Sequence, residues 1–93
     1  MIFKPITTEA ALGTNTGAAS NVGKSRYVRL VNTGSGEHLV TLEQSDGTDI
    51  GTFTLESLQT VIIQKDPSDQ LFAANAAVLA CRVRVNSKAG LVG

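Results

Sequence analysis

The sequence has no tryptophan, a single tyrosine and three phenylalanines. Its core therefore has few large aromatic anchors and must be built from Val, Leu, Ile and Ala. Cys81 is the only cysteine, which excludes an internal disulfide. His38 is the only histidine, so no His-based metal cluster forms within one chain. Neither sign of charge is in surplus, eight Lys and Arg standing against eight Asp and Glu. A nucleic-acid partner ordinarily calls for a basic excess to neutralise phosphates, so none is expected. No run approaches the ~18 apolar residues of a membrane span, and the start, Met1-Ile2-Phe3-Lys4-Pro5, leads into no apolar stretch of the kind that directs export. No membrane partner is expected, and synthesis in a cytoplasm is.

What is present is 93 residues, 42% of them apolar and 17% charged. That is one domain, and a chain this short buries only about 60–65% of the surface its unfolded form exposes. So thin a core gains from association with partners. The expected organisation is an N-terminal strand, turn and flexible arm over 1–25, a β core over 26–85 and a tail over 86–93.

Within the first part, Phe3 to Thr8 reads as a strand that Pro5 confines to a sheet edge. Thr8 to Leu12 suits one helical turn ended by Gly13. Gly13 to Ser25 is small and polar, a loop or loosely held arm. Strand and turn signals then alternate. Arg26 to Asn32 is rich in β-formers, and Thr33 to Glu37 breaks it. His38 to Gln44 and Asp49 to Leu55 flank Ser45-Asp46-Gly47-Thr48, whose Asp-Gly pair signals a hairpin. Gln59 to Lys65 is a further strand, stopped by Asp66-Pro67-Ser68-Asp69. Leu71 and Phe72 are expected to plug the core, and Ala73 to Ala77 is ambiguous. Val78 to Val85 alternates strictly, with Leu79, Cys81, Val83 and Val85 on one face, expected to be buried, and Ala80, Arg82 and Arg84 on the other, expected to face outward. The expected fold class is all-β, a small antiparallel sandwich or barrel of about six to eight short strands.

The search for chemistry ends in absences. Gly23-Lys24-Ser25 closes like a phosphate-binding loop, but the glycine required five positions earlier is Ala18, and a strand rather than a helix follows. No serine or cysteine nucleophile accompanies His38 in a recognisable elbow, and Cys81 reads as a buried small hydrophobe. Asp46 with Asp49, and Asp66 with Asp69, sit in turns where aspartate caps backbone amides, and neither pair matches an EF-hand loop. No catalytic residue, cofactor or metal ligand is therefore expected, and the chain is read as no enzyme. Sugar sites present exposed aromatics, and the chain offers only Tyr27 as a polar one and no tryptophan, which counts against glycan binding. Arg82 and Arg84 alternate on one strand face, while Tyr27 and Arg29 lie on another strand. Guanidinium forks bind carboxylates in fixed geometry, so these four residues are the expected protein interface.

Three stretches carry a resemblance: Met1-Ile2-Phe3-Lys4-Pro5-Ile6-Thr7-Thr8, Tyr27-Val28-Arg29-Leu30-Val31-Asn32-Thr33, and Lys65-Asp66-Pro67-Ser68-Asp69-Gln70-Leu71 leading into the last alternating strand. They resemble the small β-rich virion proteins of tailed bacteriophages, those of cyanobacterial phages especially. The resemblance implies a virion structural role, most of all a capsid decoration or cement protein. Its implied partners are capsid or other virion proteins and further copies of itself.

Overall fold

The computed structural model describes residues 2–87 and 90–92. Nine strands run through it: β1 Phe3–Pro5, β2 Ala10–Ala11, β3 Tyr27–Asn32, β4 His38–Glu43, β5 Asp49–Leu55, β6 Thr60–Gln64, β7 Gln70–Ala73, β8 Val78–Ser87 and β9 Gly90–Val92. All pair antiparallel, in two sheets. One has the order β1-β8-β3-β6, with β2 and β9 also on β8; the other is β5-β4-β7. The all-β expectation holds.

The sheets close over one apolar cluster. Val28, Leu30, Val78 and Ala80 come from the first sheet, and Val40, Leu55, Leu71 and Ala73 from the second, with Leu12 at its margin. The period-2 geometry of strands explains the selection, because Val28 and Leu30 share a face and pair with Arg82 and Ala80. Asn32 continues that face and is buried too. Its carboxamide donates to the carbonyls of Gly36 (2.8 Å) and Leu55 (2.9 Å) and accepts from the Gly34 amide (2.9 Å). One polar side chain thus ties the β3–β4 turn to the end of β5.

The hairpin at Asp46-Gly47 forms, by a different turn. Of the pair only Gly47 lies at positive φ (92°), the Gly47 amide donates to the Gln44 carbonyl at 2.9 Å, and the Gln44 amide donates to Thr48 at 2.8 Å. This is a tight turn followed by a glycine bulge. The pairing slips once more, from Leu42 with Gly51 to Glu43 with Asp49, leaving Ile50 unopposed and half exposed at the sheet edge.

Several expectations need correction. Thr8 to Leu12 makes no helical turn, because Ala10 and Ala11 pair with Ala80 and Leu79 as β2. The segment after Gly13 is irregular, with a 3-10 turn over Thr16–Ala18, yet it is stitched to β7. Ser20 and Leu71 exchange amide-to-carbonyl bonds of 3.0 and 2.8 Å, and the Ala73 amide donates to Gly13 at 3.0 Å. Leu71 does enter the core, within a strand, β7, that the reading left out. The tail is no loose end, since β8 runs on to Ser87 and β9 folds back on it. Lys88, Ala89 and Gly93 lie outside the described residues.

The faces of β8 are also reversed. Val78 and Ala80 face the space between the sheets, and Arg82 and Arg84 continue that face. Cys81, Val83 and Val85 form a second, smaller cluster on the outer side of the sheet, with Tyr27 and Ile62 against it. Val83 lies between Tyr27 and Pro5, and Val85 opposite Phe3, so short β1 helps roof an outer apolar patch.

Candidate interaction surfaces

The four residues of the expected interface do not lie on one face of the sheet. Tyr27 and Arg29 lie on the outer face of the larger sheet, while Arg82 and Arg84 lie on the opposite one.

On the outer face, the Arg29 guanidinium lies 3.2 Å from the Glu9 carboxylate and 5.8 Å from the centre of the Phe3 ring. A half-exposed ion pair of this kind contributes about 0–1 kcal/mol. Together with Pro5, Thr7 and Cys81 these residues line a shallow, mostly apolar slot of about 270 Å³. It exists because the chain leaves β8 between Ile6 and Ala10. In the gap the Thr7 hydroxyl accepts from the Arg82 amide at 3.1 Å, and the buried Cys81 thiol donates to the Thr7 carbonyl at 3.0 Å.

On the other face, Arg84 is exposed and stands directly across from Lys4. Arg82 is half buried. Its Nη1 donates to the Gly23 carbonyl at 3.3 Å, and its Nε is enclosed without a partner. Above it, Val22, Gly23 and Lys24 all adopt positive φ (54°, 67° and 57°), a left-handed turn that a β-branched valine adopts only at a cost. That turn consumes its own donors: the amides of Val22, Lys24 and Ser25 bond Ser20 Oγ, Asn21 Oδ1 and the Asn21 carbonyl. Gly23-Lys24-Ser25 therefore offers no row of free amides to a phosphate.

Two buried ionisable groups have structural partners. Glu43 is fully buried where β4 meets the bulge, accepting from Thr16 Oγ1 (3.0 and 2.9 Å) and Gln70 Nε2 (2.8 Å). Lys65 is buried beneath the turn it opens, its Nζ donating to the carbonyls of Ser25 (2.8 Å), Asp66 (3.1 Å) and Pro67 (3.4 Å). Burial pushes the Lys65 ammonium below the usual lysine range, opposed by the nearby Asp69 and Asp66 carboxylates. The turn aspartates cap amides: Asp46 accepts from the Thr48 amide at 2.9 Å, which holds its carboxyl below the usual range, and Asp69 accepts from Asp66 at 3.3 Å. Among the described residues no three His, Cys, Asp or Glu side chains gather as a metal site would need.

The smaller sheet turns a different surface outward. Leu39 pairs with Thr54, and Thr41 with Thr52 and Phe72, giving an outer face that the buried Glu43 continues and on which Leu39 is 45% exposed. At the rim, Ile50 and Leu58 are 50% and 76% exposed. Leu58 is held at positive φ (62°), its amide donating to Asn32 at 2.8 Å, while the neighbouring Ser57 hydroxyl donates to Gly34 at 2.6 Å. A bulky residue fixed in that conformation and left in water is a rigid apolar projection. The sequence reading missed this surface; its trace there is the lack of Lys or Arg between Leu30 and Gln64. No protein-family model matches this chain, and no curated protein or solved structure matches it either.

Proposed function

We propose that this chain is a non-enzymatic structural protein of a tailed-phage particle, a decoration or cement subunit that packs against capsid subunits. The observation that carries this reading is the outer face of the smaller sheet. Leu39, Thr52, Thr54 and Phe72 form a partly apolar surface around the buried Thr41, with no charged side chain among them, rimmed by the exposed Ile50 and Leu58. Such a face suits broad apolar contact with another protein, and the resemblance of the three sequence stretches to small phage virion proteins names the setting. The engagement of Gly23-Lys24-Ser25, Cys81 and the turn aspartates in local bonds favours a structural over a catalytic reading. The same surface serves a tail, baseplate or fibre subunit equally, and the lack of the internal repeat that tail fibres tend to show favours the head.

The test is a mass-spectrometric inventory of purified particles. The expected result is this chain in high copy number, in fixed ratio to the major capsid subunit. Its absence from intact particles would refute the reading, and a ratio matching tail subunits would move it to the tail. Binding of the isolated chain to a glycan array, with none to particles, would replace it with a sugar-binding module.

A further inference from the structure

The balanced net charge conceals a strong separation. Residues 30–64 contain five acids, Glu37, Glu43, Asp46, Asp49 and Glu56, and no Lys or Arg. All eight Lys and Arg lie outside that stretch, with only Glu9, Asp66 and Asp69 as acids. The fold turns this separation in sequence into one in space.

Strand β5 is an edge strand, paired only with β4. Asp46 and Asp49 stand at its start and Glu56 just past its end, all exposed. At the opposite edge of the smaller sheet, β7 is stitched to Gly13 and Ser20, and the chain reaches them from β2 on the outer side of β8. So β7 lies over the β1–β2 flank, and β5 over the opposite one. On the β1–β2 flank Lys4 pairs with Arg84 and Arg82 follows on the same face of β8, while Arg26, one step before Tyr27 pairs with Val83, extends the row across the sheet toward β3. Among the described residues the one ion pair joins Arg29 to Glu9, which leaves this row without carboxylate partners. The Asp49 end of the β5 flank also stands level with that row, Glu56 lying a strand's length away. Asp49 pairs with Glu43, Glu43 with Gln70, and the turn before Gln70 is anchored by the Lys65 amide on the Arg26 carbonyl (2.8 Å).

We infer that copies of this chain associate head to tail, the acidic β5 flank of one against the basic Lys4/Arg84 flank of the next. Complementary charge at one level on opposite flanks is a heterologous contact, which closes into a ring when the rotation per copy permits and runs as a filament otherwise. A two-fold pairing of β5 with itself is disfavoured on two counts. Centred on Thr52 it sets Asp49 opposite Leu55, next to Glu56 of the other copy. The bulge at Ile50 also interrupts the edge that would have to pair. The arrangement deepens the structural-subunit reading by naming the partner of that subunit's flanks.

The test is sedimentation velocity of the full chain over a range of protein and salt concentrations, with two charge-reversed variants. Asp49→Lys with Glu56→Lys makes both flanks basic, and Lys4→Glu with Arg84→Glu makes both acidic; all four side chains are exposed, and among the described residues none of them makes a hydrogen bond or ion pair. The expected result is salt-weakened self-association of the wild type and a dissociation constant at least about tenfold higher for each variant alone. Association returns when the two variants are mixed in equal amounts, which also shows that both are folded. A wild type that stays monomeric, association indifferent to salt and to both reversals, or a mixture without rescue would overturn the inference. Loss of association in the β5 variant alone would replace it with two-fold edge pairing. A monomer present in particles refutes the head-to-tail contact and leaves the structural-subunit reading standing; a head-to-tail oligomer absent from particles does the reverse.

Discussion

Asn32 and Lys65 hold parts of the fold that no apolar contact reaches. The Asn32 carboxamide satisfies two carbonyls and one amide in a fully buried position. Asn32→Ala leaves all three without partners, and the expected cost is about 3 kcal/mol, read as a lower urea midpoint at an unchanged slope. Lys65 makes stability depend on pH with a defined sign. Burial lowers its pKa in the folded state, so the unfolded chain keeps the proton to higher pH. Folding bears the cost of the buried charge below the folded pKa, and that cost is relieved as pH rises toward the unfolded value. Lys65→Met removes the titration. The stability of the wild type relative to this variant is therefore expected to increase as pH rises through the alkaline range toward the usual lysine value, in urea unfolding. A flat or falling difference would show that the burial does not carry through to stability. The sequence marks neither role: an asparagine before a turn and a lysine before Asp-Pro both read as ordinary surface residues.

At the scale of elements, strands β3 to β6 were legible because β-branched runs between turn signals leave little choice of period. The misreadings share a cause, since they occur where tertiary pairing overrides local preference. Ala10 and Ala11 favour helix by propensity, but β8 offers them an open edge, and edge pairing decides. Gln70 to Ala73 is too short to announce itself and becomes a strand through β4 on one side and Ser20 on the other. The faces of β8 were misassigned because Leu79, Cys81, Val83 and Val85 are the more apolar set, although Val78 and Ala80 are the ones that meet the second sheet. Alternation reveals that two faces differ; it does not say which one a neighbouring sheet will cover. The interface residues suffered by the same step, because Arg82 and Arg84 are separated from Tyr27 and Arg29 by the thickness of the sheet. Gly13 tests the stitching of the N-terminal segment. A Cβ there would stand 2.2 Å from the Ala18 carbonyl oxygen, backbone that has to move. Gly13→Ala is expected to cost about 1–3 kcal/mol and to speed hydrogen exchange at the Leu71 and Ala73 amides, which donate to Ser20 and Gly13. Unchanged exchange at those amides would mean that the segment is held elsewhere.

For the whole molecule, the N-terminal stretch acts as the cover of the larger sheet. It caps one side of β8, roofs Val83 and Val85, and bonds the Cys81 thiol through Thr7. Deleting residues 2–9 is expected to make Cys81 react with a thiol reagent at close to the rate of the unfolded chain, whereas the intact protein reacts far more slowly. Equal rates in the intact and shortened chains would show that β1 shields nothing. The charge separation belongs to this scale as well, because it vanishes in the net charge and appears only once the flanks are set against each other.

The position of β8 has a consequence for synthesis. It is the central strand of its sheet and pairs with β1, β2 and β3, so Phe3 finds its partner only in Val85. A ribosome therefore releases β1 through β7 before the strand that orders the larger sheet exists. The β4–β5 hairpin with its β7 neighbour and the β3–β6 pair are complete before then. Closure of the larger sheet waits on β8 and joins residues as far apart as Phe3 and Val85, a loop-closure cost that slows folding. Until then the apolar β3 and β6 are unroofed, and crowded neighbours on a polysome are their nearest alternative partners.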